Sequence, residues 1–287
     1  MRPKGISLSS ILLFLFLFTG KAFSQMNSAI PPCIKREGIG NDSLYAIIEK
    51  EPAFGIYRDN YFITGFNPSK KIDQYNADLR FQISLRACLT RCTLPLKSYL
   101  FVSYTQNTTW DIYQYSAPFR YTDYNPALHW AKPFITKNRL MGLFMLSLEH
   151  QSNGKSGPLD RDCNWITLYG KYYFHPTFSL EGKIYIPVFF CPENRDIHKY
   201  KGFINISANY CSLNRKFRTS LQFQKTTKSI VSGNFIAEVA YALYLPFNIF
   251  AFAQYYNGYA ENITEFTTYF NEIRIGLCFK TSFFDVH

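Results

Sequence analysis

The chain has 287 residues, a net charge of +11 and 18% aromatic residues, among them 28 Phe and 22 Tyr. That length suits a single barrel-sized domain. The positive charge is scattered rather than gathered into a dense run, and no nucleic-acid-binding motif accompanies it, so no nucleic-acid partner is expected. Charged loops and a polar lumen account for it first, and attraction to anionic lipid second.

Residues 1–24 read as a secretory signal. Arg2 and Lys4 form the charged start, Ile11 to Phe18 the apolar stretch, and Ala22-Phe23-Ser24 a small-x-small cleavage site before Gln25. The apolar stretch is short for a bilayer span. Residues 25–50 read as an N-terminal periplasmic segment with helical character near Asp42 to Glu51, and residues 51–287 as the barrel.

After Gln25 no stretch approaches the roughly 18 apolar residues of a transmembrane helix. Apolar and polar residues alternate instead. Leu79, Phe81, Ile83 and Leu85 interleave with Arg80, Gln82, Ser84 and Arg86. Phe235, Ala237 and Val239 repeat the pattern, and so do Ile273, Ile275, Leu277 and Phe279. Turn signals at Asn67-Pro68-Ser69, Asn194-Arg195-Asp196, Ser212-Leu213-Asn214, Ser232-Gly233-Asn234 and Leu245-Pro246-Phe247 separate such segments. Roughly ten to twelve segments of about ten residues predict an outer-membrane barrel, since only helices and closed barrels satisfy their backbone groups in lipid.

The seven cysteines match no zinc spacing. Cys88 and Cys92 flank a turn and are close enough to pair, but isolated buried or lipid-facing thiols are the preferred reading.

One segment carries chemistry. Phe144, Leu146, Leu148, His150 and Ser152 share parity, so they lie on one side of a strand that begins apolar and ends in a base and a hydroxyl. In the next segment Asn164 shares parity with Ile166 and Leu168, which places it on the outer face too. If the two strands pair, a nucleophile, a base and an orienter of the base come together on the outer wall, the logic of a hydrolytic triad. Such a site implies a substrate that lies in the membrane. A porin or scaffold barrel explains the alternation equally well, but not why these three residues point outward. A soluble serine esterase lacks a G-x-S-x-G elbow here.

The run His150-Gln151-Ser152-Asn153-Gly154-Lys155-Ser156, followed by Asn164, resembles the signature of the outer-membrane phospholipase A family. Ser103-Tyr104-Thr105-Gln106 through Trp110, Ser116-Ala117-Pro118-Phe119-Arg120, Asp123-Tyr124-Asn125-Pro126, Asp196-Ile197-His198-Lys199-Tyr200 and Gln254 to Tyr259 extend the likeness across residues 44–285. The resemblance implies an all-β, twelve-stranded antiparallel transmembrane barrel in a Gram-negative outer membrane. It implies calcium-dependent hydrolysis of phospholipid and lysophospholipid acyl esters, of phospholipase A1 and A2 type. Ser152 is then the nucleophile, His150 the general base, Asn164 the group that orients the imidazole, and Gly154 the source of an oxyanion N–H. Calcium (Ca2+) is expected at Ser116, Lys155, Asp160 and Glu193, completed when two barrels pair as a homodimer, with Gln106 in the interface. Lys155 stands in place of Arg, Asp160 in place of Ser and Glu193 in place of Asp, all retaining an oxygen donor. Gly157 stands where the family usually has Asp.

Overall fold

The structure is a computed structural model that describes residues 41–90, 94–190, 192–229 and 232–281. The predicted signal, the chain up to residue 40, and the Cys92 end of a Cys88–Cys92 pairing therefore lie outside the described residues. Cys163 and Cys278 are buried thiols.

A short helix, α1 (Asn41–Glu49), comes first. The strands then begin: β1 (Phe54–Ile56), β2 (Asn60–Phe66), β3 (Ala77–Cys88), β4 (Tyr99–Trp110), β5 (Phe119–Thr136) and β6 (Arg139–Ser152). Next come β7 (Asp162–His175), β8 (Phe178–Phe190) and a second short helix, α2 (Ile197–Lys201). The chain ends with β9 (Ile204–Cys211), β10 (Phe217–Lys225), β11 (Gly233–Tyr244), β12 (Ile249–Tyr259) and β13 (Tyr269–Phe279). Gly233 and Asn234, expected in a turn, instead open β11, where they pair with Lys225 and Gln224.

Every neighbouring pair is antiparallel, and β13 closes on β2 from Ile273↔Phe66 to Phe279↔Asn60. β1 and β2 both lie along β3, β1 against residues 85–87 and β2 against residues 77–82, so they form one stave interrupted at Tyr57–Asp59. Thirteen strands thus make a closed, twelve-stave all-β barrel, as the resemblance implies.

The wall has the inverse of a soluble protein's burial. Ile275 is 61% exposed, Leu148 56% and Leu221 51%, whereas Arg274 is 2% and Ser84 0%. Apolar side chains face lipid as in outer-membrane barrels, while the lumen holds polar and charged side chains together with apolar clusters around Phe101, Leu143 and Met145 and around Ile63, Phe250 and Cys278. Aromatic pairs such as Tyr172–Phe174 and Tyr244–Phe247 gather at the end with short turns. Trp110–Phe119 and Tyr259–Tyr269 lie at the long-loop end. The two bands fit girdles at the membrane interfaces.

The lumen is crossed by ion pairs, Lys171–Glu181 at 2.9 Å, Lys183–Glu149 at 2.6 Å and Lys280–Asp59 at 2.5 Å. At the long-loop end the β12–β13 loop folds inward. Its Glu261 is held by Arg80 at 2.5 Å and Arg274 at 2.6 Å, while Ile263 and Phe266 pack with Trp165 and Ile197. Burial alone would raise the Glu261 pKa, but the Arg274 and Arg80 guanidiniums outweigh it and hold the carboxylate below its usual range. At the other end Leu44 of α1 packs on Leu140 and Tyr173, which docks the helix against the short turns. A barrel filled in this way differs from an open porin channel.

Candidate active site

The β6–β7 ladder sets the site. Its register pairs Leu148 with Ile166, His150 with Asn164 and Ser152 with Asp162. Ser147 and Glu149 are buried in the lumen while Leu146 and Leu148 are exposed, so His150 and Ser152, two and four residues beyond Leu148, continue the outer face. On β7, Cys163, Trp165 and Thr167 are buried, which leaves Asn164 outward as well. The alternation read from the sequence is thus realised in both strands.

The His150 Nδ1 lies 2.9 Å from Asn164 Oδ1. With a carboxamide oxygen as partner, Nδ1–H donates and Nε2 keeps its lone pair, the tautomer a general base requires. Ser152 ends β6 at the long-loop rim, half-buried and beside Tyr124 in the β5–β6 register. The β5–β6 pairing runs through Ala127↔Glu149, skips Asn125 and Pro126, and resumes at Tyr124↔Ser152. Pro126 has no N–H to give. There the Asn125 side chain substitutes for the ladder, Nδ2 donating to the His150 carbonyl at 2.7 Å.

Past Ser152 the chain turns in a loop organised by one buried side chain. Asn153 Oδ1 accepts the N–H groups of Lys155 and Arg161, both at 3.2 Å, and Nδ2 donates to the Leu159 carbonyl at 2.8 Å. Gly154 comes next with φ +65°, and a Cβ there would sit 2.7 Å from Tyr124 Cε2. The position thus needs glycine twice over, for its left-handed backbone and for the ring against it. Gly157 shares the φ of +65° but has open space around it.

The four residues expected to bind a cation all come to the same rim. Ser116 lies in the β4–β5 loop at φ +67°, Lys155 and Asp160 in the β6–β7 loop, and Glu193 in a 3-10 turn ahead of α2. Asn194 ties that turn to the site, its Nδ2 donating to the Asp162 carbonyl at 2.8 Å. Among the described residues no group of three or more His, Cys, Asp and Glu side chains is disposed to hold a metal. Gln106 stands on the outer face of β4, its Oε1 accepting from Tyr104 and its Nε2 donating to Thr108.

Sequence reasoning gave no role to Tyr124, Asn125 or Asn153. The Asn-Gly pair at 153–154 is a turn signal, and Pro126 inside a strand marks a break in pairing. What fills that break is visible only in three dimensions.

Comparison with known proteins places these features in one family. The family model described as Phospholipase A1 matches residues 53–279. The phospholipase A1 of Klebsiella pneumoniae is 31% identical over 207 residues, covering 70% of this chain and 68% of its own. The outer-membrane phospholipase A structure from Escherichia coli superposes with a TM-score of 0.72 at 23% identity, over 84% of this chain and 98% of that one. The outer-membrane phospholipase dimer of Salmonella typhi with bound calcium gives 0.71 at 22% identity, over 85% and 100%. A barrel wall of this build, with a matching model across all the described strands, makes the chain a member of the phospholipase A1 family of ester hydrolases, seated in the outer membrane.

Proposed function

We propose that this protein hydrolyses acyl esters of phospholipids, and of lysophospholipids, at the outer wall of its barrel, with Ser152 as nucleophile and His150 as base. The observation that carries the reading is the His150–Asn164 contact on a lipid-facing surface. A polar base–orienter pair has no structural use against acyl chains, where burying polar groups costs free energy. It suits a substrate that arrives through the membrane.

Ser152 Oγ attacks the acyl carbonyl as His150 Nε2 takes its proton, and Asn164 holds the ring through Nδ1. The oxyanion of the tetrahedral intermediate faces the Gly154 N–H. His150 then returns the proton to the departing glycerol oxygen, leaving acyl-Ser152. Water attacks that ester as His150 takes its proton, and His150 passes the proton to Ser152 Oγ as the acyl–oxygen bond breaks and the fatty acid leaves. Asn164 is neutral and supplies orientation without offsetting imidazolium charge, so more of the barrier falls to the oxyanion donors.

The cation donors fit a hard divalent ion by type: a hydroxyl at Ser116, a backbone carbonyl at Lys155 and carboxylates at Asp160 and Glu193. Calcium held there would add positive charge beside the developing oxyanion. Among the described residues no acidic cluster holds an ion by itself, which supports a site shared between two barrels; the Salmonella typhi relative is described as a dimer with bound calcium. Along β4, Tyr104, Gln106 and Thr108 form a hydrogen-bonded polar strip, which supports the same homodimer because a second copy covers polar groups better than lipid does.

The test is phospholipid hydrolysis by the refolded barrel with calcium or chelator, with wild type beside Ser152→Ala. The expected result is calcium-dependent release of fatty acid that disappears in the variant. Undiminished activity in Ser152→Ala would overturn the serine mechanism, and full activity of a crosslink-free monomer in chelator would overturn the shared cation site.

A further inference from the structure

The outward-facing site has an inward-facing back. Gln151 lies between His150 and Ser152, and Trp165 directly follows Asn164, so both point into the lumen. There they meet one cation. Lys201, the last residue of α2, donates from Nζ to Gln151 Oε1 at 2.7 Å. The same Nζ stands 4.9 Å from the Trp165 ring centroid and 5.1 Å from that of Tyr185. Gln151 Nε2 in turn reaches Asp123 Oδ2 at 3.4 Å, and that oxygen also accepts the Ile263 N–H at 2.9 Å.

This end of β6 needs such support. On its β5 side the ladder is interrupted at Asn125–Pro126, and on its β7 side the last pair is Ser152↔Asp162. His150 and Gln151 are therefore paired in register on the β7 side alone, with the Asn125 carboxamide filling in on the other. In a strand the direction of one side chain sets the planes that carry its two neighbours. Fixing Gln151 from inside therefore fixes where His150 and Ser152 point outside. An ammonium over Trp165 does the same for Asn164. The cation is itself anchored, because Ile197 at the start of α2 is buried among Trp165, Ile263 and Phe266.

We propose that Lys201 is a positioning residue, whose ammonium braces from the lumen the two strand ends that present His150, Ser152 and Asn164 to the bilayer. The proposal rests on the reading of Ser152 as nucleophile. Lys201 is separated from lipid by the barrel wall, so its effect falls on the chemical step and not on lipid binding.

The experiment uses the full refolded chain as wild type, Lys201→Met, Lys201→Arg, Gln151→Met, the Lys201→Met and Gln151→Met double variant, Lys199→Met and Ser152→Ala. The readouts are kcat and KM on phospholipid–detergent micelles and the rate at which an alkyl sulfonyl fluoride labels the serine. Lys201→Met is expected to lower kcat and labelling rate together by about 10- to 100-fold, with KM within about twofold, since small misplacements of reacting groups cost this much. Lys201→Arg should recover most of the loss. Gln151→Met should match Lys201→Met, and the double variant should lose no more than either alone. Lys199→Met, which removes an exposed lysine paired with Asp196, should behave as wild type. Wild-type kcat and labelling in Lys201→Met, or a loss confined to KM, would overturn the brace. If Lys201→Met does not refold, Gln151→Met carries the same two outcomes. An active Ser152→Ala would instead remove the nucleophile reading, whereas an inactive Ser152→Ala beside a wild-type Lys201→Met would remove the brace alone.

Discussion

The imidazole of His150 and the carboxamide of Asn164 face each other across the β6–β7 ladder, Nδ1 to Oδ1 at 2.9 Å, though 14 residues separate them in sequence. The contact lies on a wall whose neighbours, Leu148 and Ile166, face lipid. Asn164→Ala removes the group that selects the tautomer and aims the ring. It should lower kcat by about 100-fold while KM stays within a few-fold, as steady-state kinetics on micelles would read. Asn164→Asp keeps an oxygen facing Nδ1 and should retain more activity than Ala.

Gly154 and Gly157 make a matched pair. Both have φ +65°, but only at Gly154 does an added Cβ strike a ring, at 2.7 Å from Tyr124 Cε2. Gly157→Ala should cost about 1 kcal/mol of local strain and leave kcat nearly unchanged. Gly154→Ala adds a clash that displaces the N–H assigned to the oxyanion, so kcat should fall by about 100-fold or more. Comparing the two variants by kcat and thermal melting separates strain from displacement.

Asp160 lies in the rim loop that Asn153 organises. As a carboxylate donor it should strengthen calcium binding, so Asp160→Asn should raise the calcium concentration for half-maximal activity by about 10-fold. Maximal activity at saturating calcium should change less. A calcium titration of hydrolysis with both proteins checks this.

Glu261 lies between Arg80 and Arg274 and pins the inward-folded β12–β13 loop. Glu261→Gln takes the carboxylate from the buried Arg80 guanidinium, while Arg274 keeps Asp78 at 2.9 Å, and should cost about 3–5 kcal/mol. The folded carboxylate is held below its usual range, so its contribution is present at neutral pH and is lost as pH falls through the folded value. The melting temperature of the wild-type barrel should therefore drop on acidification, with a shallower drop in Glu261→Gln.

The barrel was legible from Leu79 to Arg86 and from Ile273 to Phe279, because an exterior in lipid and an interior of charges force strict alternation. The outward parity of His150, Ser152 and Asn164 was legible for the same reason. The interruption of the first stave at Tyr57–Asp59 was not, because β1 and β2 are joined only by their common partner β3. Nor were the residues behind the site. Lys201 and Ile263 lie 50 and 112 residues beyond Gln151, in segments with no periodic signal of their own.

Alone, the sequence determined which side of the wall each strand residue occupies, since successive side chains of an extended chain must point to opposite faces. It therefore determined that a base, a hydroxyl and a carboxamide look toward lipid. Tertiary structure decided that His150 stands opposite Asn164, that Asn125 fills the gap Pro126 leaves, and that Lys201 and Glu261 fill the lumen behind. Those outcomes depend on register and on loops meeting across a closed barrel. Both are set by hydrogen bonds and charges between segments far apart in the chain, which no local pattern encodes.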